Sequence, residues 1–148
     1  MLDLSARSPK TENGFTLIEI MVVVVIIGLL AAMIAPNIMR QLDRAEINRA
    51  RQDVRSIESA LDLYRLDNYR YPSTEEGLKA LVTNPGETIA PNWVKGGYLK
   101  SMPEDPWNRE YLYLQPGQHG EFDVYTLGAD GQEGGEDNNA DIGNWDLN

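Results

Sequence analysis

The chain has 148 residues, a formal net charge of −10 and no cysteine. That length sets one domain as the default. The acidity excludes a nucleic-acid surface, which needs clustered Lys and Arg against phosphate, and the missing thiols exclude disulfides, thiolate metal sites and cysteine nucleophiles together.

After a leader, MLDLSARSPKTENG, the run from Phe15 to Ala35 is apolar except for Glu19. A helix of that length spans about 30 Å, one bilayer core. Its β-branched valines and isoleucines weaken a helix in water. In lipid the backbone must satisfy itself, which makes a lone segment helical. A cleaved secretory signal has a shorter apolar middle and a basic start. Here Arg7 and Lys10 are offset by Asp3 and Glu12, and Arg40 and Arg44 follow the run, so charge alone leaves the orientation open.

Pro36 comes next and favours a kink. Ile47, Ala50, Val54, Ile57, Leu61 and Tyr64 then form one apolar stripe at helical spacing. Fewer than three heptads with a small Ala50 argue for packing on the chain's own sheet rather than a coiled coil. The charges between them, Asp43, Arg44, Glu46, Arg49, Arg51, Asp53, Arg55 and Glu58, read as a solvated face. Residues 15–68 are expected to form one helix about 80 Å long, its first half in lipid or protein and its second docked on a head.

Ser73 and Glu76 make a capping box, which predicts a short helix to about Val82, weakened by Gly77. Residues 83–97 carry Pro85, Gly86, Pro91, Gly96 and Gly97 and read as loop. Strands are expected in REYLYLQ, in EFDVYTLG, where Phe122, Val124 and Thr126 alternate with Asp123 and Tyr125, and briefly in IGNWDL. His119, in the PGQHG turn, reads as solvated. The fold class is α+β: a long N-terminal α-helix, transmembrane in its first half, on a small three-stranded antiparallel head.

Glu121 to Asn148 contains eight acids and no Lys or Arg. Asp130, Glu133, Glu136, Asp137 and Asp141 sit among glycines, and such hard oxygens suit Ca²⁺ better than Mg²⁺ or Zn²⁺. Asp137, Asn139 and Asp141 fit the start of an EF-hand, but Ile142 stands where its glycine belongs and no Glu follows at position twelve. The spacing leaves a solvated loop and a metal site both open. An enzyme lacks a nucleophile–base pair around one histidine, and Trp93, Trp107 and Trp145 read as sheet packing rather than a carbohydrate platform.

GFTLIE, Gly14 to Glu19, resembles the processing signal of type IV pilins and pseudopilins. LDNYRYPSTEEGL, PEDPWNREYLY and LGADGQEGG through ADIGNWD resemble the major pseudopilins of type II secretion systems over nearly all of the chain past the leader. Asn108 departs from the glycine usual after the tryptophan. The resemblance implies cleavage between Gly14 and Phe15 and N-methylation of Phe15 by a prepilin peptidase, giving a leader (1–14), an assembly and membrane helix (15–36) and a periplasmic head (37–148). It implies a single-pass inner-membrane protein, not an enzyme, that polymerises into a pseudopilus with minor pseudopilins on an inner-membrane platform and drives folded proteins through the outer membrane. A surface type IV pilus is the rival, though such pilins often clamp the C-terminal region with a disulfide. Glu19 then gains a role, since a carboxylate one helical turn from the Phe15 amine can pair with it, within a chain or between neighbours, offsetting an insertion cost of about 2.5–3.5 kcal/mol. The resemblance also favours calcium, held by the Leu127 carbonyl, Asp130, Asn139 and Asp141 with Asp137 assisting.

Overall fold

The structure, a computed structural model, describes residues 14–147; the expected leader lies outside the described residues except for Gly14. Helix α1 runs Leu17–Asn68 with Pro36 inside it. Strands β1 (Leu112–Leu114), β2 (Asp123–Thr126) and β3 (Ile142–Gly143) form one antiparallel sheet in the order β1-β2-β3. Leu112 faces Tyr125 across the first pair, and Thr126 faces Ile142 across the second. The chain divides into two compact units between Met39 and Arg40.

In the first unit the apolar side chains are exposed, from Phe15 and Leu17 to Met33 and Ile34. Among the described residues, α1 is the one helix long and apolar enough to cross a membrane. Among the described residues nothing buries this stem.

In the second unit the predicted stripe becomes the core. Ala50, Val54, Ile57, Leu61 and Tyr64 are fully buried, and Ala60 joins them, while Ile47 is half-buried. They meet Tyr71, Leu78, Leu81, Tyr111, Tyr113, Phe122 and Val124. Each large apolar side chain buried here stabilises the head by about 1.5–3 kcal/mol. Tyr71 meets Phe122 edge-on with centroids 4.6 Å apart, a favoured geometry for aromatic pairs.

Three expectations change. The Ser73–Glu76 capping box forms, with the Glu76 amide donating to Ser73 Oγ at 3.2 Å and the Ser73 amide to Glu76 Oε2 at 3.0 Å. It closes only a turn, because Gly77 takes φ +61° and ψ −174°, and a four-residue 3₁₀ helix, Leu78–Leu81, replaces the predicted α-helix. The strands are shorter than their sequence patterns. The charges on α1 are not simply solvated. Arg44 and Arg51 are exposed, but Arg49 donates to the Glu104 carbonyl at 3.3 Å, Arg55 to that of Leu147 at 2.6 Å, and Asp53 accepts from the Tyr111 hydroxyl at 3.0 Å. The polar flank of the helix holds the head as well as facing water.

Candidate functional site

At the start of the stem, Thr16 and Glu19 form a second capping box that sequence reasoning missed, although T-L-I-E spells it. The Glu19 amide donates to Thr16 Oγ1 at 3.3 Å, and the Thr16 amide donates to Glu19 Oε2 at 3.4 Å. Glu19 therefore turns back toward the helix N-terminus, where backbone amides favour negative charge. Phe15 and Gly14 are exposed, and a methyl group added at Gly14 would meet nothing within 4 Å. Among the described residues, packing does not require a glycine at position 14.

The acidic loop connects β2 to β3. Two limbs close on each other. Gly128 is buried with φ +63°, and a Cβ there would stand 2.6 Å from the Asn139 carbonyl oxygen and 2.8 Å from that of Ala140. The Ala129 amide donates to the Asn138 carbonyl at 2.8 Å. The limb carrying Leu127 and Asp130 is thus held against the limb carrying Asn139 and Asp141. Asp130, Asp137 and Asn139 are exposed, while Leu127 and Asp141 are half-buried. Asp130 Oδ1 accepts from the Gln132 amide at 3.0 Å, and Asp141 Oδ2 from the Gly134 amide at 2.9 Å. Asp137 lies at φ +53°.

Two oxygens in this loop, Asp141 Oδ1 and Asn138 Oδ1, are buried with no hydrogen-bond partner. Such atoms cost about 1–3 kcal/mol each unless something satisfies them. No group of three or more His, Asp or Glu side chains stands ready to hold a metal among the described residues. A cation here would need carbonyl and amide oxygens as well as carboxylates. That donor chemistry fits Ca²⁺, which takes six to eight such oxygens.

Three anchors frame the loop. Asp105 is only 1% exposed. It accepts from Thr126 Oγ1 at 2.5 Å and from the amides of Trp107 at 3.0 Å and Arg109 at 2.8 Å. Arg109 Nε lies 3.4 Å from the same carboxylate, and its guanidinium donates to the Gly128 carbonyl. On the other side, Asp123 is also buried, which breaks the expected alternation of β2. Burial would raise its pKa, but the His119 ring and the amides of Gln118 and His119 outweigh that and hold the carboxyl below its ordinary value. His119 is exposed in its turn as expected, yet it is not without partners. Its Nδ1 lies 3.0 Å from Asp123, and its ring stacks on Trp145 at 3.9 Å. The third anchor is Asn138, whose Nδ2 reaches Asp43 Oδ1 at 3.2 Å and Glu46 Oε2 at 3.3 Å on α1. Of the tryptophans expected to pack on the sheet, Trp145 does so, its ring centroid 5.6 Å from that of Tyr125. Trp93 lies against the core, and Trp107 donates to Glu46 at 3.2 Å.

Residues 37–145 match the family described as type II secretion system (T2SS), protein G. The chain belongs to that family. Residues 9–35 also match the prokaryotic N-terminal methylation motif. Family relatives include the type II secretion system core protein G of Pseudomonas aeruginosa, 57% identical over 93% of this chain and 97% of the relative. That of Vibrio cholerae is 51% identical over 95% and 97%. The crystal structure of the major pseudopilin from the type 2 secretion system of enterohaemorrhagic Escherichia coli aligns with a TM-score of 0.64 at 43% identity. It covers 74% of this chain and 95% of that one. The family's fold, one long N-terminal helix and a small three-stranded antiparallel sheet, is the one found here.

Proposed function

We propose that this chain is the structural major subunit of a type II secretion pseudopilus, without catalytic activity. The observation that carries this reading is the stem, whose apolar side chains are left exposed among the described residues. Before assembly lipid covers them, and in the fibre neighbouring stems do. A peptidase of the prepilin class cuts between Gly14 and Phe15 and methylates the new amine, in keeping with the methylation motif over residues 9–35. The freed Phe15 amine gives Glu19 a cation to meet, and pairing across neighbouring stems sets their axial register. The stem crosses the inner membrane once with the head in the periplasm. Fibre growth on an inner-membrane platform, with minor pseudopilins, pushes folded proteins through the outer membrane.

Ca²⁺ is part of this proposal. The Leu127 carbonyl, Asp130, Asn139 and Asp141 would hold it, with Asp137 assisting, and it would neutralise a loop that otherwise repels itself. The partnerless Asp141 Oδ1 and the closure of the two limbs support this assignment. Glu19→Val tests the assembly role in a strain lacking the native gene. The variant is expected to insert in the membrane at normal levels yet form few fibres and secrete little. Wild-type fibres and secretion from that variant would refute the register role of Glu19.

A further inference from the structure

Asn138 belongs to none of the expected ligand positions, yet it reaches farthest from the acidic loop. It sits in the 3₁₀ turn Asp137–Asn139, between two of the proposed calcium ligands. Its carbonyl accepts from Ala129 at 2.8 Å, which ties the loop's two limbs together. Its side-chain amide donates to Asp43 at 3.2 Å and Glu46 at 3.3 Å, both on α1. Within the second unit Asp43 is the first residue of α1 that is not fully exposed; Arg40, Gln41 and Leu42 before it are open. Asp43 and Glu46 are two like charges three residues apart on one helix face, which repel unless a donor lies between them. Glu46 also accepts from the Trp107 indole at 3.2 Å. The Asn138 amide therefore ties the start of the docked helix to the loop, and the Trp107 indole holds Glu46 from outside it.

The geometry points to Asn138 as a positioning residue that couples cation binding in the acidic loop to the order of α1 at Asp43–Ile47. This inference rests on the calcium reading. When the cation fixes the two limbs, the Asn138 amide is held in place and the two carboxylates are bridged. When the cation leaves, the limb carrying Asn138 loosens, Asp43 and Glu46 lose their shared donor, and the docked part of α1 begins farther along the chain. The partnerless Asn138 Oδ1 does not enter this coupling, which runs through the donor end of the side chain. Asparagine is needed because aspartate of the same size offers no donor and adds a third negative charge.

The test uses the full mature chain in detergent micelles. Hydrogen exchange of peptides spanning residues 40–50 is followed in calcium and in chelator, and calcium binding is measured separately by calorimetry. In the wild type, exchange of this segment is expected to quicken roughly tenfold on chelation, the order expected when a hydrogen bond to a charged group is lost from a local opening unit. Asn138→Asp keeps the size and the side-chain oxygen but loses the donor. It is expected to bind calcium and yet exchange fast in both conditions, as is Asn138→Ala at saturating calcium. A wild type that binds calcium with no change over residues 40–50 overturns the coupling while leaving the cation site standing. So does an Asn138→Asp variant that keeps the calcium-dependent protection. A wild type that binds no calcium overturns the cation site and this inference with it.

Discussion

Replacing Asp105 by alanine probes the support of the acidic loop at its most buried point. The side chain is 1% exposed and satisfies the Thr126 hydroxyl, two backbone amides and the Arg109 guanidinium. Removal leaves the Thr126 hydroxyl and two backbone amides without their acceptor, while Arg109, 34% exposed, still reaches water. An unsatisfied buried donor costs about 1–3 kcal/mol, and the ion pair to the partly exposed Arg109 adds about 1 kcal/mol at most. These terms overlap, so the net loss expected for Asp105→Ala is about 3–5 kcal/mol. Asp105→Asn retains one acceptor oxygen and is expected to lose about 1–2 kcal/mol. Denaturant unfolding of the head, read by tryptophan fluorescence with midpoint and slope fitted together, measures both. Near the melting temperature a 3 kcal/mol loss lowers it by roughly 12 °C or more for a head of this size. Arg109 also holds the Gly128 carbonyl, so the alanine variant is expected to respond less to calcium. A loss below about 1 kcal/mol, in the range of an ordinary surface change, would refute the view of Asp105 as the hub.

Further outcomes follow from the same structure. Chelating calcium is expected to lower the melting temperature of the wild type. Binding to the folded state alone adds about 2.7 kcal/mol at a hundredfold excess over Kd, and Asp130→Ala should abolish the response; equal melting curves with and without chelator would remove the site. Asp123 and Glu76 both have folded pKa values below their ordinary ones, Glu76 chiefly through its hydrogen bond to Arg70. Their stabilisation is therefore complete above the unfolded carboxyl values near pH 4 and is lost as pH falls through the lower folded values. Asp123→Asn should flatten the stability profile below about pH 4, and an unchanged slope would count against the His119–Asp123 pairing. Replacing Gly14, which packs against nothing, should leave uncut precursor of full folded stability. Mature-length protein from that variant would contradict cleavage after Gly14.

The parts of this chain that could be read from sequence are those governed by near neighbours. Helical spacing named the buried stripe from Ala50 to Tyr64, and residue type between turn signals located the three strands, while the alternation expected of β2 failed at the buried Asp123. The Ser73–Glu76 box was visible, but its helix was lost to a single Gly77 backbone angle that no periodicity reports. The Thr16–Glu19 box was equally visible in T-L-I-E, where the same Glu19 carboxylate also reads as a charge inside an apolar run. The anchors of the acidic loop were out of reach for another reason. Asn138 meets Asp43 across 95 residues, and Asp105 meets Thr126 across 21. Each of these side chains looks like an ordinary solvated polar group until the fold brings its partner near. The proposed ligand limbs could be named from the sequence, but their closure around Gly128 could not.

The free edge of β1 has a consequence for life in a crowd. Just past its last residue, the Gln115 amide donates to Thr74 Oγ1 at 2.8 Å while that hydroxyl donates back to the Gln115 carbonyl at 2.9 Å. Together with the brevity of the strand, this stopper removes the open backbone on which another chain would zip. That edge of the head thus offers a neighbouring strand little to extend.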